Sequence, residues 1–328
     1  MADEPVEDLS AAVPEPDPQP DAPPPDVDPG AGDGTVPWRA LLAEAVATLE
    51  HGGVEGAEVE ARRIVEEATG HDGAALFAHL DDPATVNGVA ALDRMVERRL
   101  AGEPLQYVLG RWGFRTLDLM VDERVLIPRP ETEGVVDHVL AELAARRDAA
   151  ADTSAVAPVV VDLGCGSGAI GLAVAAEWRG AEVHLVDVSA DAVAVTRANL
   201  AGLGVAGSTV LVHEGSWFGP LPPDRAGRVD VVVSNPPYVA SDEHLPPVVA
   251  DWEPTGALVS GPTGLEAVEV IVAEAAGWLV PGGLLVVEIG ATQGPAARAV
   301  AEAAGLVAVE VRPDLAGRDR ALLARTPS

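Results

Sequence analysis

A glycine-rich loop at residues 162–168, reading DLGCGSG, has the composition of a backbone cradle for a ligand. It follows the apolar run VVVDL and precedes the helical sequence AIGLAVAAEW. The glycines permit a tight turn and let the main chain approach a ligand closely where the next helix begins. The loop therefore predicts a ligand site at the end of a strand, and the alternative interpretation is a purely structural turn.

The second strand, EVHLVD, indicates which ligand this loop holds. It ends at Asp187, 23 residues after Gly164, where a carboxylate can accept hydrogen bonds from both ribose hydroxyls of an adenosine. The loop is GxGxG and not GxGxxG, and the chain has no phosphate-binding P-loop pattern, so a dinucleotide and a nucleoside triphosphate are disfavoured. The remaining nucleoside ligand is S-adenosyl-L-methionine, which is the cofactor that we predict.

The single cysteine, Cys165, lies inside the glycine-rich loop. It cannot form an internal disulfide, and alone it cannot build a cysteine-based zinc site. A reactive thiol is one interpretation, but we favour a small side chain in a loop that acts through its backbone. We predict no metal centre, and the lone cysteine fits a reducing compartment.

A second segment, SNPPY at residues 234–238, has the residue types that can hold a planar amino group. The Asn235 side-chain oxygen and a backbone carbonyl of the proline region can accept both N–H bonds of an amide or an exocyclic amine. Pro236 and Pro237 fix the backbone that carries these acceptors, and Tyr238 can stack on the flat group. A proline-rich turn after a buried strand is the alternative interpretation.

Strands and helices alternate after residue 158, and this order must bring the two segments to one edge of a sheet. The predicted strands lie at 159–163, 182–187, 209–213, 229–234, 284–289, 306–312 and 320–325. Near-continuous apolar strands that alternate with helices indicate an α/β fold, a doubly wound Rossmann-like sheet covered on both faces. Both segments are then expected at the carboxyl ends of strands, where such sheets bind ligands.

Four regions are predicted along the chain. Residues 1–35 contain ten acidic residues, nine prolines and no basic residue, which predicts a disordered acidic tail. Apolar positions at helical spacing over 36–101 predict a small helical domain. Alternating β-formers and turn residues over 102–131 predict a β-hairpin linker, and residues 132–328 contain the α/β sheet.

The overall charge limits the classes of partner. The 328 residues include 52 acidic and 21 basic residues, for a formal charge of −31, and every basic residue is arginine. Direct binding of DNA or RNA is disfavoured, because it needs a basic face. No run reaches the length of a membrane span, and the N-terminus has no signal-peptide pattern. We expect a cytoplasmic protein that contacts no membrane.

The sequence also contains the motifs GEPLQYVLG, VLIPRPETE, DLGCGSGAIGL, VDVSADAVAV, GSWF, VSNPPY, EPTGAL, GLEAV, PGGLLVVEIG and DLAGRDR. Together they resemble the HemK/PrmC family, the glutamine N5-methyltransferases of peptide chain release factors. The resemblance spans about residues 38 to 325 and is more specific than NPPY alone, which DNA adenine methyltransferases share. It implies a class I methyltransferase fold, S-adenosyl-L-methionine as methyl donor, and the glutamine of the release-factor GGQ motif as acceptor in translation termination.

The resemblance further implies roles for individual residues. The residues expected to bind the cofactor are Gly164, Cys165, Gly166, Ser167 and Gly168 at its methionine part, Asp187 at its ribose, Trp217 near its adenine, and Asn235. Those expected to hold the substrate glutamine are Asn235, Pro236, Pro237 and Tyr238, with Asn235, Pro236 and Tyr238 as the catalytic set. Family members usually carry threonine in place of Cys165, which is a mild change in a loop that acts through its backbone. The helical domain is expected to dock the release factor, with the enzyme as a monomer.

Several interpretations stay open at this point. Arg129, Glu131 and Glu133 either order a loop beside the cofactor or pair locally at a helix N-terminus. Glu288 is interpreted as a strand-end carboxylate outside the site. An N6-adenine or other nucleic-acid amino-methyltransferase is the first alternative function, and a non-catalytic cofactor-binding protein is the second.

Overall fold

The computed structural model describes residues 35–149 and 157–328. The predicted acidic tail, apart from Thr35, lies outside these residues. Within the described ranges, no helix is both long enough and apolar enough to cross a membrane.

A helical region begins the described chain. Its helices are α1 Trp38–His51, α2 Ala57–Thr69, α3 Gly73–His79 and α4 Val86–Leu100. Buried side chains from all four helices meet in one core, which includes Leu49, Ile64, Leu76 and Leu92. The recurrence of apolar residues at helical spacing, which predicts these helices, arises from this single buried face.

A short helix and a hairpin connect this region to the rest of the chain. They are α5 Leu105–Leu109, β1 Arg111–Phe114 and β2 Leu117–Met120. The hairpin lies within residues 102–131, and α5 precedes it there; sequence periodicity does not indicate α5, because five residues are too few to display a helical period. Tyr107 lies buried in α5, and Arg98 donates to the carbonyls of Tyr107 and Val108, which anchors α5 to α4.

The remaining chain alternates helices and strands. Its helices are α6 Glu133–Ala149, α7 Ala169–Glu177, α8 Ala190–Gly202, α9 Pro247–Ala250, α10 Thr255–Leu258, α11 Glu266–Trp278 and α12 Gly294–Ala303. Its strands are β3 Val159–Leu163, β4 Glu182–Asp187, β5 Val210–Glu214, β6 Val229–Ser234, β7 Val239–Ala240, β8 Val259–Gly261, β9 Leu279–Glu288, β10 Val307–Pro313 and β11 Asp319–Arg325.

One seven-stranded sheet dominates, in the order β10-β11-β9-β6-β3-β4-β5. Strands β5, β4, β3, β6 and β9 are parallel, whereas β11 lies antiparallel between β9 and β10. The chain runs outward from β3 to β4 and β5 and then returns to β6 on the other side of β3. This reversal makes the β3/β6 boundary a topological switch point, where ligands bind in doubly wound sheets.

Both faces of the sheet are covered, as predicted. Helices α6 and α7 pack on one face against Val160 and Val233, and helices α11 and α12 pack on the other against Val161 and Val232. All four valines are fully buried. Strands buried on both faces have no polar face to alternate with, which is why their sequences are near-continuous apolar runs.

Candidate functional site

A cavity of about 430 Å³ opens at the carboxyl ends of β3, β4 and β6. Among the residues that line it are Gly164, Gly166, Asp187, Trp217, Asn235 and Pro237. Its volume lies within the range of small-molecule and cofactor sites. The structure thus brings six of the predicted site residues to one cavity.

The glycine-rich loop is shaped by left-handed backbone. Gly164 has φ 69° and Gly166 has φ 56°, values that side chains rarely tolerate. The amides of Gly164 and Cys165 donate to the Val186 carbonyl at 2.8 and 3.0 Å, which fastens the loop to the end of β4. A Cβ on Gly164 would lie 3.8 Å from the Trp217 ring, so the glycine leaves backbone exposed beside an aromatic face.

Three predicted loop residues do not line this cavity. Cys165 is buried and lies 3.5 Å from the Thr196 hydroxyl through its sulfur. Burial raises the pKa of its thiol well above the ordinary value, which disfavours the reactive-thiol interpretation. Ser167 is also buried, and Gly168 adopts φ 83° at the start of α7. These residues hold the loop in place without lining the cavity.

Asp187 lies at the end of β4 with both carboxylate oxygens engaged. Its Oδ2 accepts from the Gly166 amide at 2.8 Å, and its Oδ1 accepts from the Ser189 amide at 2.9 Å. Each carboxylate oxygen has a second lone pair, so the side chain can still accept from a ligand. The Asp187 carboxylate therefore both orders the glycine-rich loop and presents acceptors to the cavity.

Trp217 supplies the aromatic surface of the cavity. It follows β5 and adopts φ 44°, an uncommon backbone conformation for a large side chain. Such strain is stored at ligand sites when the surrounding structure holds it in place. The indole is thus held where a flat heterocycle could pack on it.

Asn235 directly follows β6, next to the glycine-rich loop. The Ser234 hydroxyl donates to the Leu163 carbonyl at 2.7 Å, which ties the end of β6 to the end of β3. The Asn235 side chain is half-buried, and its Nδ2 donates to the Thr132 hydroxyl at 3.3 Å. Its Oδ1 has no such partner among the described residues and is free to accept from a ligand.

The rest of the SNPPY segment frames this acceptor. Pro237 lines the cavity, Pro236 is buried, and Tyr238 is half-buried beyond the lining residues. The Tyr238 carbonyl accepts from Gln293 Nε2 at 2.9 Å, which fixes the backbone after the prolines. Burial raises the pKa of the Tyr238 phenol to about 12, so it is neutral at physiological pH.

Two segments that the sequence analysis does not assign to the site cover the cavity, although both overlap the motifs VLIPRPETE and EPTGAL. They are residues 124–126 of the linker and residues 254–257 around α10. The buried carboxylate of Glu253 joins them, because it pairs with Arg129 and accepts from the Ile127 amide at 3.2 Å. The motifs mark both segments, but no local signal shows that they meet, since they are more than a hundred residues apart in the chain.

Arg129, Glu131 and Glu133 do not line the cavity. Arg129 pairs with Glu253, Glu131 lies 3.8 Å from Arg320, and Glu133 accepts from the Arg115 amide at 2.9 Å. Arg129 thus contacts the cover of the cavity, whereas Glu133, at the start of α6, accepts from the backbone of the β1–β2 turn.

Sequence reasoning gives no role to two buried carboxyl groups near the site. Asp162, before the glycine-rich loop, accepts from the Gly171 amide at 2.9 Å through Oδ2, and its Oδ1 is buried without a partner among the described residues. Glu288, at the end of β9, accepts from the Thr132 hydroxyl at 2.7 Å. A polar residue inside an otherwise apolar strand is the signal that could have found both.

The residues present fit an adenosine-containing cofactor. An indole, a carboxylate with spare lone pairs and a glycine backbone surround one cavity, and most of its other lining is apolar. Among the described residues, no group of three or more histidines, cysteines and acidic residues could hold a metal ion.

Comparison with known proteins agrees with this geometry. The family described as PrmC N-terminal domain matches residues 40–110, and the family described as methyltransferase small domain matches residues 149–251.

Three curated relatives carry the name release factor glutamine methyltransferase. The protein from Xylella fastidiosa (strain Temecula1) is 40% identical over 289 residues, which cover 88% of this chain and 98% of that protein. The protein from Cereibacter sphaeroides is 40% identical, with the same coverage of 88% and 98%. The protein from Bordetella pertussis is 42% identical, covering 80% of this chain and 92% of that protein. Relatives this similar over nearly their whole length show that the chain belongs to the release factor glutamine methyltransferase family.

Proposed function

We propose that this enzyme transfers a methyl group from S-adenosyl-L-methionine to the side-chain amide nitrogen (N5) of the glutamine in the GGQ motif of peptide chain release factors. One observation carries the proposal: Asn235, whose Oδ1 has no partner among the described residues, lines the same cavity as Asp187 and Trp217. An acceptor for an amide group and the groups that suit an adenosine are therefore within one small site.

The cofactor would lie along the predicted residues of this cavity. Asp187 would accept from the ribose hydroxyls, Trp217 would pack on the adenine, and the backbone of Gly164 and Gly166 would lie beside the methionine part. When bound, the cofactor supplies a methyl group made electrophilic by its sulfonium.

The chain's own residues must make the substrate amide nitrogen reactive. An amide nitrogen is a poor nucleophile because its lone pair is delocalised into the carbonyl. Asn235 Oδ1 and a backbone carbonyl of the proline region accept its two N–H bonds, which raises electron density on nitrogen and points it at the methyl group. Tyr238, which follows the lining residue Pro237, would stack on the flat amide as a neutral surface.

Positioning is the main source of rate acceleration in this scheme. Holding the reacting atoms in a near-attack geometry can lower the barrier by roughly 7 to 11 kcal/mol in favourable cases. The nitrogen forms its bond to carbon as the carbon–sulfur bond breaks. The methylated nitrogen is then acidic and loses its extra proton to water, so no strong general base is required.

The charge of the chain supports a protein substrate over a nucleic acid. At −31, the enzyme repels phosphate backbones, which argues against the N6-adenine alternative. We further propose that the enzyme acts as a cytoplasmic monomer, with the helical region over α1 to α4 docking the release factor.

The test is methyl transfer from labelled cofactor to a purified bacterial release factor. We expect label on the release factor, none on duplex DNA or tRNA, and a single methyl group mapped by mass spectrometry to the GGQ glutamine. A release factor with alanine in place of that glutamine is the matched control. Label on the nucleic acids, or equal label on the control, would contradict the proposal.

A further inference from the structure

Three hydrogen-bonded side chains lie in a line behind the Asn235 acceptor. Asn235 Nδ2 donates to Thr132 Oγ1 at 3.3 Å, and Thr132 Oγ1 donates to Glu288 Oε2 at 2.7 Å. The three residues come from the end of β6, the turn before α6 and the end of β9. Thr132 is 3% exposed and Glu288 is 0% exposed, so water does not compete for these bonds.

Glu288 determines which group donates and which accepts in both of these hydrogen bonds. An ionised carboxylate can only accept, so the single hydrogen of the Thr132 hydroxyl is committed to Glu288. The Thr132 oxygen can then only accept from Asn235. The NH2 group of the Asn235 side chain must therefore face Thr132. The Asn235 oxygen is consequently turned the other way.

This orientation matters because the two ends of an asparagine amide are nearly equal in size. Packing alone does not distinguish the oxygen from the NH2 group, so the hydrogen-bond network determines which of them faces the cavity. A flipped Asn235 would present its NH2 group to the NH2 group of the substrate amide, which sets two donors against each other. Turnover therefore depends on what keeps the oxygen in place.

We propose that Glu288 is a positioning residue for methyl transfer, acting through Thr132 to keep the Asn235 side-chain oxygen directed at the substrate amide. The inference rests on the proposed function and deepens it, since it names what holds the acceptor of that reaction. Glu288 touches neither substrate nor cofactor in this role.

The burial of Glu288 supports a functional role. Its second oxygen, Oε1, is buried with no hydrogen-bond partner among the described residues. A fully buried carboxylate with one oxygen unpaired is unfavourable for folding, and an apolar side chain at the end of β9 would serve the core better. A purely structural role therefore does not account for this residue.

The surroundings of Glu288 also make the line sensitive to pH. Burial raises the pKa of Glu288 to about 7, while the bond from Thr132 and the charge of Arg320 lower it, and Glu131 raises it. Tyr238, which is neutral, is the remaining titratable neighbour, and its side chain also lowers the pKa of Glu288. A protonated Glu288 can donate to Thr132, whose hydroxyl can then donate to Asn235 and favour the flipped amide. Turnover is therefore expected to fall as pH falls through about 7.

The test compares Thr132→Val, which keeps the volume but removes the hydroxyl, with Thr132→Ser, which keeps the hydroxyl. We expect T132V to lower kcat about 10- to 100-fold, as small losses of positioning do, and T132S to keep most of the activity. The KM for release factor and the cofactor Kd by calorimetry should change little in both variants, whereas T132V should lower the Tm because it leaves the buried Glu288 carboxylate without its Thr132 donor. Full turnover by T132V would overturn the proposal, and so would equal loss in T132S.

Glu288→Gln provides a second, independent variant. It keeps the shape of the side chain but is no longer an obligate acceptor, so we expect a lower kcat and the loss of the acidic limb near pH 7. An unchanged pH profile of kcat in E288Q would contradict the role of Glu288, even if T132V failed to fold.

A readout without catalysis separates this inference from the proposed function. In the ¹⁵N-labelled full chain, the side-chain amide protons of Asn235 should shift with pH with a midpoint near 7, and E288Q and T132V should abolish the shift. If the wild-type enzyme methylates no release factor, the proposed function fails while this titration still tests the line of bonds. An Asn235 signal that is indifferent to pH and to both variants would refute the inference alone.

Discussion

At the scale of single residues, Asp187 has two tasks that share one carboxylate. It accepts from the amides of Gly166 and Ser189, which orders the glycine-rich loop, and it faces the cavity with its remaining lone pairs. The affinity for the cofactor therefore depends on Asp187 both directly and through the loop.

Replacing Asp187 with alanine is expected to weaken S-adenosyl-L-methionine binding at least about tenfold. Hydrogen bonds to charged groups contribute roughly 1.5 to 3 kcal/mol each, less what water restores. Calorimetry measures the effect, and Asp191→Ala, which removes an exposed charge from the next helix, is the matched control. Unchanged affinity in D187A would remove Asp187 from the site.

Asn235 is expected to affect turnover more than cofactor binding. Asn235→Ala removes an interaction made mainly in the transition state, so kcat should fall far more than the cofactor Kd rises. By analogy with oxyanion-hole deletions, the loss in kcat is about 10²- to 10³-fold. Steady-state kinetics with release factor measures kcat, and calorimetry with the cofactor measures its Kd. Full turnover by N235A would refute the assignment of this pocket.

Asn235→Asp is the sharper variant of the same test. It keeps an acceptor oxygen, so part of the activity and most of the cofactor affinity should remain. It also removes the NH2 group that donates to Thr132 and adds a negative charge on the same line as Glu288. We therefore expect N235D to lie between wild type and N235A in kcat.

At the scale of elements, helix α7 approaches the sheet closely because of one glycine. A Cβ on Gly171 would lie 2.0 Å from Leu185 Cδ2 and 3.1 Å from Asp162 Oδ2. Leu185 is fully buried and cannot move aside cheaply. The position of α7, and with it the end of the glycine-rich loop, depends on this contact.

Gly171→Ala is expected to lower the free energy of unfolding by roughly 1 to 3 kcal/mol, as overpacking of a core does. Gly134→Ala is the matched control, since a Cβ there meets nothing within 4 Å at an exposed helical position. It should be neutral or stabilising, because alanine favours helix more than glycine. Chemical denaturation measures both, and equal stabilities of G171A and G134A would contradict the close packing.

The helices and strands also show how much of the fold can be predicted from the sequence. The parallel strands and the loop at 162–168 are readable because each has a local signature of apolar runs and glycines. The α5 helix is too short for a period, and the antiparallel placement of β11 depends on its pairing with β9, which is not its neighbour in the chain. Thr132 escapes sequence reasoning for the same reason, since its partners Asn235 and Glu288 lie 103 and 156 residues away.

At the scale of the whole molecule, stability should depend on pH through two groups, His213 and Asp162, whose pKa shifts have opposite effects on stability. Burial lowers the pKa of His213, so the folded state loses stability as pH falls below the ordinary histidine value near 6.5. Burial raises the pKa of Asp162 from 3.8 to about 7, because Oδ1 has no partner and only the Gly171 amide offsets the cost. The Asp162 contribution is present at low pH and is lost as pH rises through about 7.

Asp162→Asn isolates the second of these contributions. Asparagine keeps an oxygen for the Gly171 amide and does not titrate, so the histidine contribution cancels when the two proteins are compared. The stability of wild type relative to D162N should fall by up to roughly 4 kcal/mol between about pH 4 and pH 7, from 1.36 kcal/mol per pKa unit. Above pH 7 the difference should be constant. Denaturation curves at several pH values measure it, and a difference that does not change with pH would show that Asp162 stays ionised in the folded protein.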